Sequence, residues 1–127
     1  MLTKILIVDD HDFVRHALRD WLAISLPNCA LLEASSGEQA IELCRQEIPD
    51  IVLMDYSLPK INGIEATRRL RTELPDLQVV IISIHEDARY RTEAADAGVA
   101  HYIPKRIIQR ELLPVLTRLL KARRTKP

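Results

Sequence analysis

Five short apolar runs alternate with segments of helical periodicity along this chain of 127 residues. The runs occupy residues 5–8, 30–32, 51–54, 79–82 and, more weakly, 100–103. Runs of this length that are rich in β-branched residues and apolar on both faces favour buried parallel strands. The pattern therefore predicts five βα units, which form a doubly wound α/β sandwich.

The order of the five strands follows from the handedness of their connections. Right-handed crossovers leave few topologies for such a chain, and we expect a flavodoxin-like parallel sheet of order 2-1-3-4-5 with helices on both faces. In open sheets of this kind, ligands bind beyond the carboxyl ends of the strands, near the point where the strand order reverses. The residues that follow the strands are therefore the first candidates for a site.

The helical segments differ in the apolar area that they offer. The last is the most apolar, and the first carries an apolar stripe of Phe13, Val14, Ala17, Leu18, Trp21 and Leu22. The fourth, at about residues 87–97, offers mainly alanine side chains, so it should bury little area and be loosely held. Residues that favour helix ends support the division into these segments. Residues 35–38 predict a helix start and Asn62 a cap for the third helix. Gly98 predicts a left-handed helix terminator.

Charge and cysteine content narrow the class of protein. The chain has 18 basic and 18 acidic residues, whereas a free-standing nucleic-acid binder usually has a basic excess. Cys29 and Cys44 lack metal-type spacing and do not indicate a disulfide framework. No apolar stretch approaches the roughly 20 residues needed to span a bilayer. We therefore expect a reducing cytoplasmic location, with no membrane contact and no direct DNA contact by this segment.

Chemically active side chains follow four of the five predicted strands. Asp9 and Asp10 follow the first, Asp55 the third, Ser83 the fourth and, slightly downstream, Lys105 the fifth. Taken singly, each has a structural interpretation, since such an aspartate often caps a helix, a serine stands in a turn and a lysine is solvated. Their joint placement on one rim favours a functional site.

Three neighbouring carboxylates repel one another unless a cation joins them or some of them hold protons. Mg²⁺ suits such a set, because it takes one or two carboxylates together with water and phosphate oxygens. A carboxylate can also act as a nucleophile and form an aspartyl phosphate. The hydroxyl and the ammonium group would then contact the phosphoryl oxygens.

Motifs at these positions carry a family resemblance. Residues 54–63 follow the pattern Asp-x-x-x-Pro-x-x-x-Gly from Asp55, residues 5–11 form the opening run, and residues 82–83 and 102–105 surround the hydroxyl and the lysine. Over about residues 3–120 the sequence resembles the receiver domains of bacterial two-component response regulators. The resemblance implies that Asp55 accepts a phosphoryl group from a sensor histidine kinase or a phosphotransfer protein.

The same resemblance implies roles for the surrounding residues. Mg²⁺, or Mn²⁺ in its place, would be held by Asp10, Asp55 and the backbone carbonyl of Ser57, with Asp9 helping directly or through water. Ser83 and Lys105 would hold the phosphoryl oxygens. Such a domain is a phosphoryl acceptor that assists its own phosphorylation and dephosphorylation, and it is not a turnover enzyme.

Further residues are implied in switching and in the lifetime of the phosphoryl group. Tyr102 matches the aromatic residue that moves when the hydroxyl residue is drawn inward, and the face of helix 4, strand 5 and helix 5 would shift to control dimerisation or an output domain. Ser57 and His85 would flank the path of an attacking water, although a surface position without a role suits His85 equally well. The remaining histidines, His11, His16 and His101, are expected to be surface or packing residues.

One departure from the family pattern concerns the loop after the fifth strand. Most receivers follow the lysine with proline, often through a cis bond, whereas here Pro104 precedes Lys105 and Arg106 follows it. The Lys105–Arg106 bond is therefore expected to be trans. Pro104 also removes a backbone donor, which favours an edge position for the strand.

Subgroup details bear on the organisation of the chain. Residues 9–11, 53–55 and 83–86 resemble NarL/LuxR-type regulators, which usually carry a DNA-binding carboxy-terminal domain. We expect a receiver domain at residues 1–122 and a tail or the start of a linker at residues 123–127. The basic end favours a piece of a longer transcription regulator, which would bind DNA only through its output domain, over a natural single-domain regulator.

Other functions fit the sequence less well. A haloacid-dehalogenase-type phosphatase needs a second aspartate two residues after the nucleophile, where this chain has Ser57. A flavodoxin-like cofactor binder needs a phosphate loop after the first strand, where Asp9 and Asp10 would repel phosphate. The remaining alternative is a pseudo-receiver, a protein-interaction module that phosphorylation does not regulate. A kinase would dock near the first helix and the rim around Asp55, and the sequence leaves open which surface would form a homodimer.

Overall fold

A computed structural model describes residues 2–124 of the chain as five βα units. All five strands are parallel, and the sheet has the order β2-β1-β3-β4-β5, which confirms the predicted fold class. The strands are β1 (Thr3–Val8), β2 (Cys29–Ala34), β3 (Ile51–Asp55), β4 (Gln78–Ser83) and β5 (His101–Pro104).

Five α-helices connect and cover the strands. They are α1 (Asp12–Ser25), α2 (Gly37–Glu47), α3 (Gly63–Glu73), α4 (Ala88–Asp96) and α5 (Ile108–Arg124), with a 3₁₀ turn at Lys105–Ile107 before α5. None of the helices in the described part of the chain is long and apolar enough to cross a bilayer. The predicted domain limit at residue 122 stays a prediction, since residues 125–127 lie outside the described residues.

The sheet separates two apolar cores, because successive side chains of a strand point to opposite faces. Leu6 and Val52 pack with residues of α2, α3 and α4, whereas Ile7 and Leu53 pack with residues of α1 and α5. The central strand β3 is buried along its whole length. A buried central strand holds its last residue, Asp55, at a fixed point of the carboxyl rim.

The helix ends confirm three sequence predictions. The Ser36 hydroxyl accepts a hydrogen bond from the amide of Gln39, and the Asn62 side chain accepts from the amides of the first turn of α3. Gly98 has φ of 86°, a left-handed conformation that costs glycine little. These caps satisfy backbone groups that a helix leaves unpaired at its ends.

The first helix differs from its sequence pattern. Periodicity places Phe13 and Val14 in an apolar stripe, but their side chains are 86% and 47% exposed. The buried residues of α1 are Leu22, which belongs to the predicted stripe, and Arg15, which does not. Apolar periodicity identifies the helix but does not say which apolar residues a neighbouring element covers.

The fourth helix and the fifth strand have the predicted character. Ala94 is the buried residue of α4, so this helix contributes little area to the core. Strand β5 lies at the edge of the sheet, next to β4, and Pro104 ends it. The loose attachment expected of α4 stays a prediction.

Candidate functional site

The carboxyl ends of β1, β3, β4 and β5 meet at one rim of the sheet. Asp55 is in register with Ile82, and Ser83 with Pro104. Asp9 directly follows β1, which pairs with β3. The parallel register thus gathers side chains that lie up to about 100 residues apart in the sequence, as strands of a doubly wound sheet allow.

Three carboxylates and one imidazole form a cluster at this rim. One ligand atom from each of Asp9, Asp10, His11 and Asp55 lies within 4.8 Å of the others. Asp9 and Asp55 are only 6% and 3% exposed. Burial strengthens the mutual repulsion of the carboxylates, so the ionised cluster is favoured when a cation joins it.

His11 belongs to this cluster, although the sequence interpretation assigned it to the surface or to packing. Its amide nitrogen donates to Asp9 Oδ1 at 2.8 Å, and its Nδ1 lies 3.2 Å from the same oxygen and 3.3 Å from Asp10 Oδ1. Its position directly after two aspartates was the available signal. The ring is largely exposed, so the surface assignment was correct but incomplete.

Asp55 is held by two donors. Lys105 Nζ lies 3.0 Å from Asp55 Oδ2, and the amide of Ser57 donates to Asp55 Oδ1 at 3.1 Å. Burial raises the pKa of Asp55, the hydrogen bond and charge of Lys105 lower it, the charge of Asp9 raises it, and the Ser57 amide lowers it. The pKa ends above its usual value, so the folded protein disfavours the ionised carboxylate.

Asp10 provides a test of whether a metal ion fits. Its Oδ1 is buried and accepts no hydrogen bond within the described part of the chain, although His11 Nδ1 lies 3.3 Å from it. A buried carboxylate oxygen without a donor is costly. A hard dication among the clustered ligand atoms would supply such a partner, and oxygen ligands are what Mg²⁺ prefers. The donor set therefore fits Mg²⁺.

Ser83 and Tyr102 are both linked to His85. Ser83 is fully buried, and its Oγ accepts a hydrogen bond from the His85 amide at 2.9 Å. The Tyr102 hydroxyl donates to the His85 carbonyl at 2.7 Å. One residue of the β4–α4 loop therefore connects the predicted hydroxyl residue with the predicted switch residue.

The His85 side chain packs against two tyrosines. It stacks on Tyr90 with ring centroids 4.2 Å apart, and it meets Tyr56 edge to face at 5.4 Å. The Tyr56 hydroxyl donates to Glu93 of α4 at 2.7 Å. Burial of Tyr56 and the neighbouring Glu93 raise the pKa of that phenol to about 12. These ring contacts and the Tyr56–Glu93 hydrogen bond therefore help to attach α4, whose own apolar stripe buries little area.

The loop after β5 has the predicted form. No peptide bond among the described residues is cis, as expected for the bond between Lys105 and Arg106. Lys105 begins the 3₁₀ turn, and its side chain reaches back across the rim to Asp55. The displaced proline therefore leaves the lysine in contact with the site.

Arg15 and Glu33 are two site neighbours that sequence reasoning missed. Arg15 Nη1 donates to the backbone carbonyl of Asp9 at 2.8 Å, and its Nε donates to Glu33 Oε1 at 3.0 Å. The available signal was a basic residue at an inward position of α1, one turn after the aspartates. Nothing in the local sequence pairs Arg15 with Glu33, which lies 18 positions away.

The fold and this site define a class, an open α/β domain with carboxylates, a hydroxyl and a lysine at the carboxyl rim of its sheet. The chain belongs to the response regulator receiver domain family, which matches residues 5–117. Members of this family bind Mg²⁺ at an acidic pocket, interact with histidine kinases and are not classical enzymes.

Curated relatives agree with this assignment. The transcriptional activator protein ExaE of Pseudomonas putida is 39% identical over 116 residues, which cover 91% of this chain and 54% of that protein. The response regulator GacA of Pseudomonas aeruginosa is 35% identical over 123 residues, which cover 97% of this chain and 58% of that protein. The chain thus spans about half the length of the curated relatives it matches.

Solved structures give the same result. A two-component response regulator of the LuxR family from Aurantimonas sp. SI85-9A1 superposes with a TM-score of 0.89 at 32% identity, covering 96% of this chain and 87% of that chain. The chemotaxis protein CheY4 of Vibrio cholerae superposes with a TM-score of 0.85 at 19% identity, covering 94% and 99%, a likeness that shows the fold alone. The predicted family and LuxR-type subgroup are confirmed.

Proposed function

We propose that this chain is a phospho-accepting signalling switch in which Asp55 takes a phosphoryl group from a sensor histidine kinase or a phosphotransfer protein. The observation that carries the proposal is the buried Asp55 carboxylate, which has Lys105 Nζ at 3.0 Å and the carboxylates of Asp9 and Asp10 beside it. In the transfer, a carboxylate oxygen of Asp55 attacks phosphorus, and the bond from phosphorus to the donor atom breaks with its electrons leaving on the donor.

The acidic residues would hold the metal ion that this chemistry needs. Asp10, Asp55 and the backbone carbonyl of Ser57 would ligate Mg²⁺, with Mn²⁺ as a substitute, and Asp9 would contribute directly or through water. A bound Mg²⁺ supplies positive charge to the phosphoryl oxygens. The buried Asp10 Oδ1, which accepts no hydrogen bond among residues 2–124, supports this assignment.

Lys105 and Ser83 would receive the oxygens of the transferred group. Lys105 contributes a positive charge that already faces Asp55. The Ser83 Oγ accepts from the His85 amide, and a hydroxyl that accepts one hydrogen bond keeps its own hydrogen free to donate. Both groups would therefore stabilise the charge of the phosphoryl group, which is about −1.5 to −2 near neutral pH.

The response would pass from Ser83 to the face of α4, β5 and α5. A movement of Ser83 toward Asp55 pulls on the His85 amide, and the His85 carbonyl is what holds Tyr102. Because α4 buries little area, it is the element that can be displaced at the lowest cost. The shift would control dimerisation or an output domain that regulates transcription.

Two residues would set the lifetime of the phosphoryl group. Ser57 is exposed two positions after Asp55, and His85 is half-buried two positions after Ser83. Both positions border the approach of a water to Asp55 in this proposal. We assign them a lifetime-tuning role, with hydrolysis assisted by the domain itself.

Partners follow from exposed surfaces. Helix α1 carries solvent-exposed apolar side chains at Phe13 and Val14 in its first turn, next to the rim, which suits contact with an apolar helix of a kinase or phosphotransfer protein. Homodimerisation through either the α4 or the α1 and α5 surface is a further part of the proposal. Contact with DNA would need an output domain outside this sequence, and we propose that the domain works in the cytoplasm.

Intact mass after incubation with acetyl phosphate or phosphoramidate tests the proposal. With Mg²⁺ we expect a gain of one phosphoryl group, about 80 Da, and none with EDTA. Asp55→Ala should gain nothing, whereas Asp76→Asn, which changes an exposed aspartate, should gain the group normally. Failure of the wild type with both donors would reject the switch and favour the pseudo-receiver.

A further inference from the structure

Among the described residues, Arg15 is the one basic residue that is buried, with 8% of its surface exposed. Burial of a guanidinium is costly and persists where several hydrogen bonds and ion pairs compensate it. A well-packed apolar residue at such a position often stabilises a protein equally well. The presence of Arg15 at an inward position of α1 therefore calls for a role beyond stability.

All three guanidinium nitrogens of Arg15 have partners around the acidic cluster. Nη1 donates to the Asp9 carbonyl at 2.8 Å, Nε donates to Glu33 Oε1 at 3.0 Å, and Nη2 lies 2.9 Å from Asp12 Oδ1. The group therefore ties the β1–α1 loop to β2, which supplies Glu33, and to the first turn of α1. A planar fork with this many donors is specific to arginine.

The hydrogen bond from Arg15 to the Asp9 carbonyl holds the backbone between Asp9 and Asp10. That carbonyl belongs to the peptide unit that joins Asp9 to Asp10, and a peptide unit is planar. Fixing the carbonyl therefore fixes the plane from which Asp10 projects. The Asp9 carboxylate is fixed separately, because the His11 amide donates to it at 2.8 Å.

Glu33 fixes the other side of Arg15. Its Oε1 accepts from Arg15, and its Oε2 accepts from Arg19 Nη1 at 2.6 Å. Arg19 lies one turn further along α1 and is partly exposed. The hydrogen bonds and ion pairs found for Arg19 within residues 2–124 go to Asp20 and Glu33, so the two arginines share Glu33 but differ in their access to the acidic cluster.

We propose that Arg15 is a positioning residue for the divalent cation site, because it holds the peptide unit that carries Asp9 and Asp10. This inference rests on the proposed function, in which those carboxylates hold Mg²⁺. Hydrogen bonds behind metal ligands orient them, and their loss typically weakens metal affinity by 10- to 100-fold. Arg15 acts through the backbone of Asp9 and does not touch the cation.

Calorimetric titration of the full chain with MgCl₂, in the absence of any phosphodonor, tests this proposal. Arg15→Lys keeps the charge and loses the fork, so a change in affinity reports geometry and not charge. We expect a Kd for Mg²⁺ that is about tenfold higher than in the wild type. Arg19→Gln is the matched control, since it also loses a bond to Glu33, and its Kd should stay close to that of the wild type.

A kinetic measurement separates positioning from a general loss of structure. In Arg15→Lys, the Mg²⁺ concentration for half-maximal phosphorylation by acetyl phosphate should rise with the Kd, while the rate at saturating Mg²⁺ stays near that of the wild type. Circular dichroism in EDTA checks the fold. If Arg15→Lys does not fold, Glu33→Gln loosens the same guanidinium from its far side and should weaken Mg²⁺ binding in the same direction.

The outcomes distinguish this inference from the function on which it rests. An unchanged Kd in a folded Arg15→Lys, or an equal loss in Arg19→Gln, would overturn the positioning role and leave the phosphorylation switch intact. A wild type that binds no Mg²⁺ would overturn the proposed function, and the positioning role with it.

Discussion

The Tyr102 hydroxyl donates a hydrogen bond to the backbone carbonyl of His85 across 2.7 Å, and the amide of the same His85 donates to Ser83 Oγ at 2.9 Å. Ser83 ends β4 and Tyr102 lies in β5. One residue therefore connects the hydroxyl at the end of β4 with the aromatic side chain of Tyr102 in β5. The two hydrogen bonds thus join Ser83 and Tyr102 through the His85 backbone.

Removal of the Tyr102 hydroxyl should cost stability. Tyr102→Phe leaves the His85 carbonyl without this donor, and we expect a loss of about 1 kcal/mol in the free energy of unfolding. Urea denaturation measures it. Tyr90→Phe is the control, because the hydrogen bond that its hydroxyl makes within the described residues is a long, exposed one from Arg89 at 3.4 Å. Equal losses in the two variants would show that the hydrogen bond to His85 adds no more to the free energy of unfolding than the exposed Tyr90 hydroxyl does.

The raised pKa of Asp55 predicts a pH-dependent effect of Asp55→Asn. A carboxyl whose folded pKa is raised stabilises the protein in its protonated form, fully below the unfolded pKa, and this stability is lost as pH rises through the folded pKa. Near neutral pH the ionised Asp55 is therefore unfavourable, mainly because of burial. Asp55→Asn should be more stable than the wild type there, with a difference that shrinks in acid.

Thermal unfolding in EDTA from acid to neutral pH measures this difference. Asp76→Asn, at an exposed position, should show no comparable gain at neutral pH. Added Mg²⁺ should stabilise the wild type more than Asp55→Asn, since the variant loses a carboxylate of the cluster. A wild type that is more stable than Asp55→Asn in EDTA at neutral pH would contradict the expected sign.

Gly63 allows α3 to begin close to the site. A methyl group at this position would overlap the backbone carbonyl of Asp55 and lie 3.0 Å from Met54 Cγ. Because backbone cannot move aside cheaply, Gly63→Ala should destabilise the protein by about 1–3 kcal/mol and slow phosphorylation of Asp55.

Gly37→Ala is the matched comparison for this prediction. There the added methyl group meets the flexible side chain of Ile61 at 2.8 Å, which can shift. Urea denaturation of the two variants should therefore give a larger loss for Gly63→Ala. The reverse order would mean that the β3–α3 loop relaxes around the new atom without cost.

The contact between Lys105 and Asp55 predicts a kinetic defect when the lysine is replaced. Lys105→Met keeps much of the side-chain volume and removes the charge that would face the phosphoryl oxygens. We expect phosphorylation by acetyl phosphate to slow by about tenfold or more, the scale for loss of one preorganised charge. Intact mass at timed intervals measures it, with Lys121→Met as the control on an exposed part of α5. A normal rate in Lys105→Met would remove this residue from the site.

Local sequence was sufficient for the architecture and for most of the site. Runs of β-branched residues at residues 5–8, 51–54 and 79–82 indicate buried strands, because each run is apolar on both faces. The crossover rule then places the aspartates, Ser83 and Lys105 at one rim. The Asp55 motif supplied the family, and Asn62 and Gly98 identified their helix ends through their own backbone preferences.

Only the tertiary structure decided which apolar and charged residues of α1 face inward. Helical spacing identifies a stripe, but the neighbours that cover it come from distant segments. Arg15 turns inward because Asp9 and Glu33 offer it acceptors, whereas Phe13 stays in solvent. The Lys105–Asp55 pair spans 50 positions, and the link from Ser83 through His85 to Tyr102 joins two strands. Local patterns report periodicity and backbone preference, while contacts between distant segments depend on how the assembled elements fill space and satisfy buried polar groups.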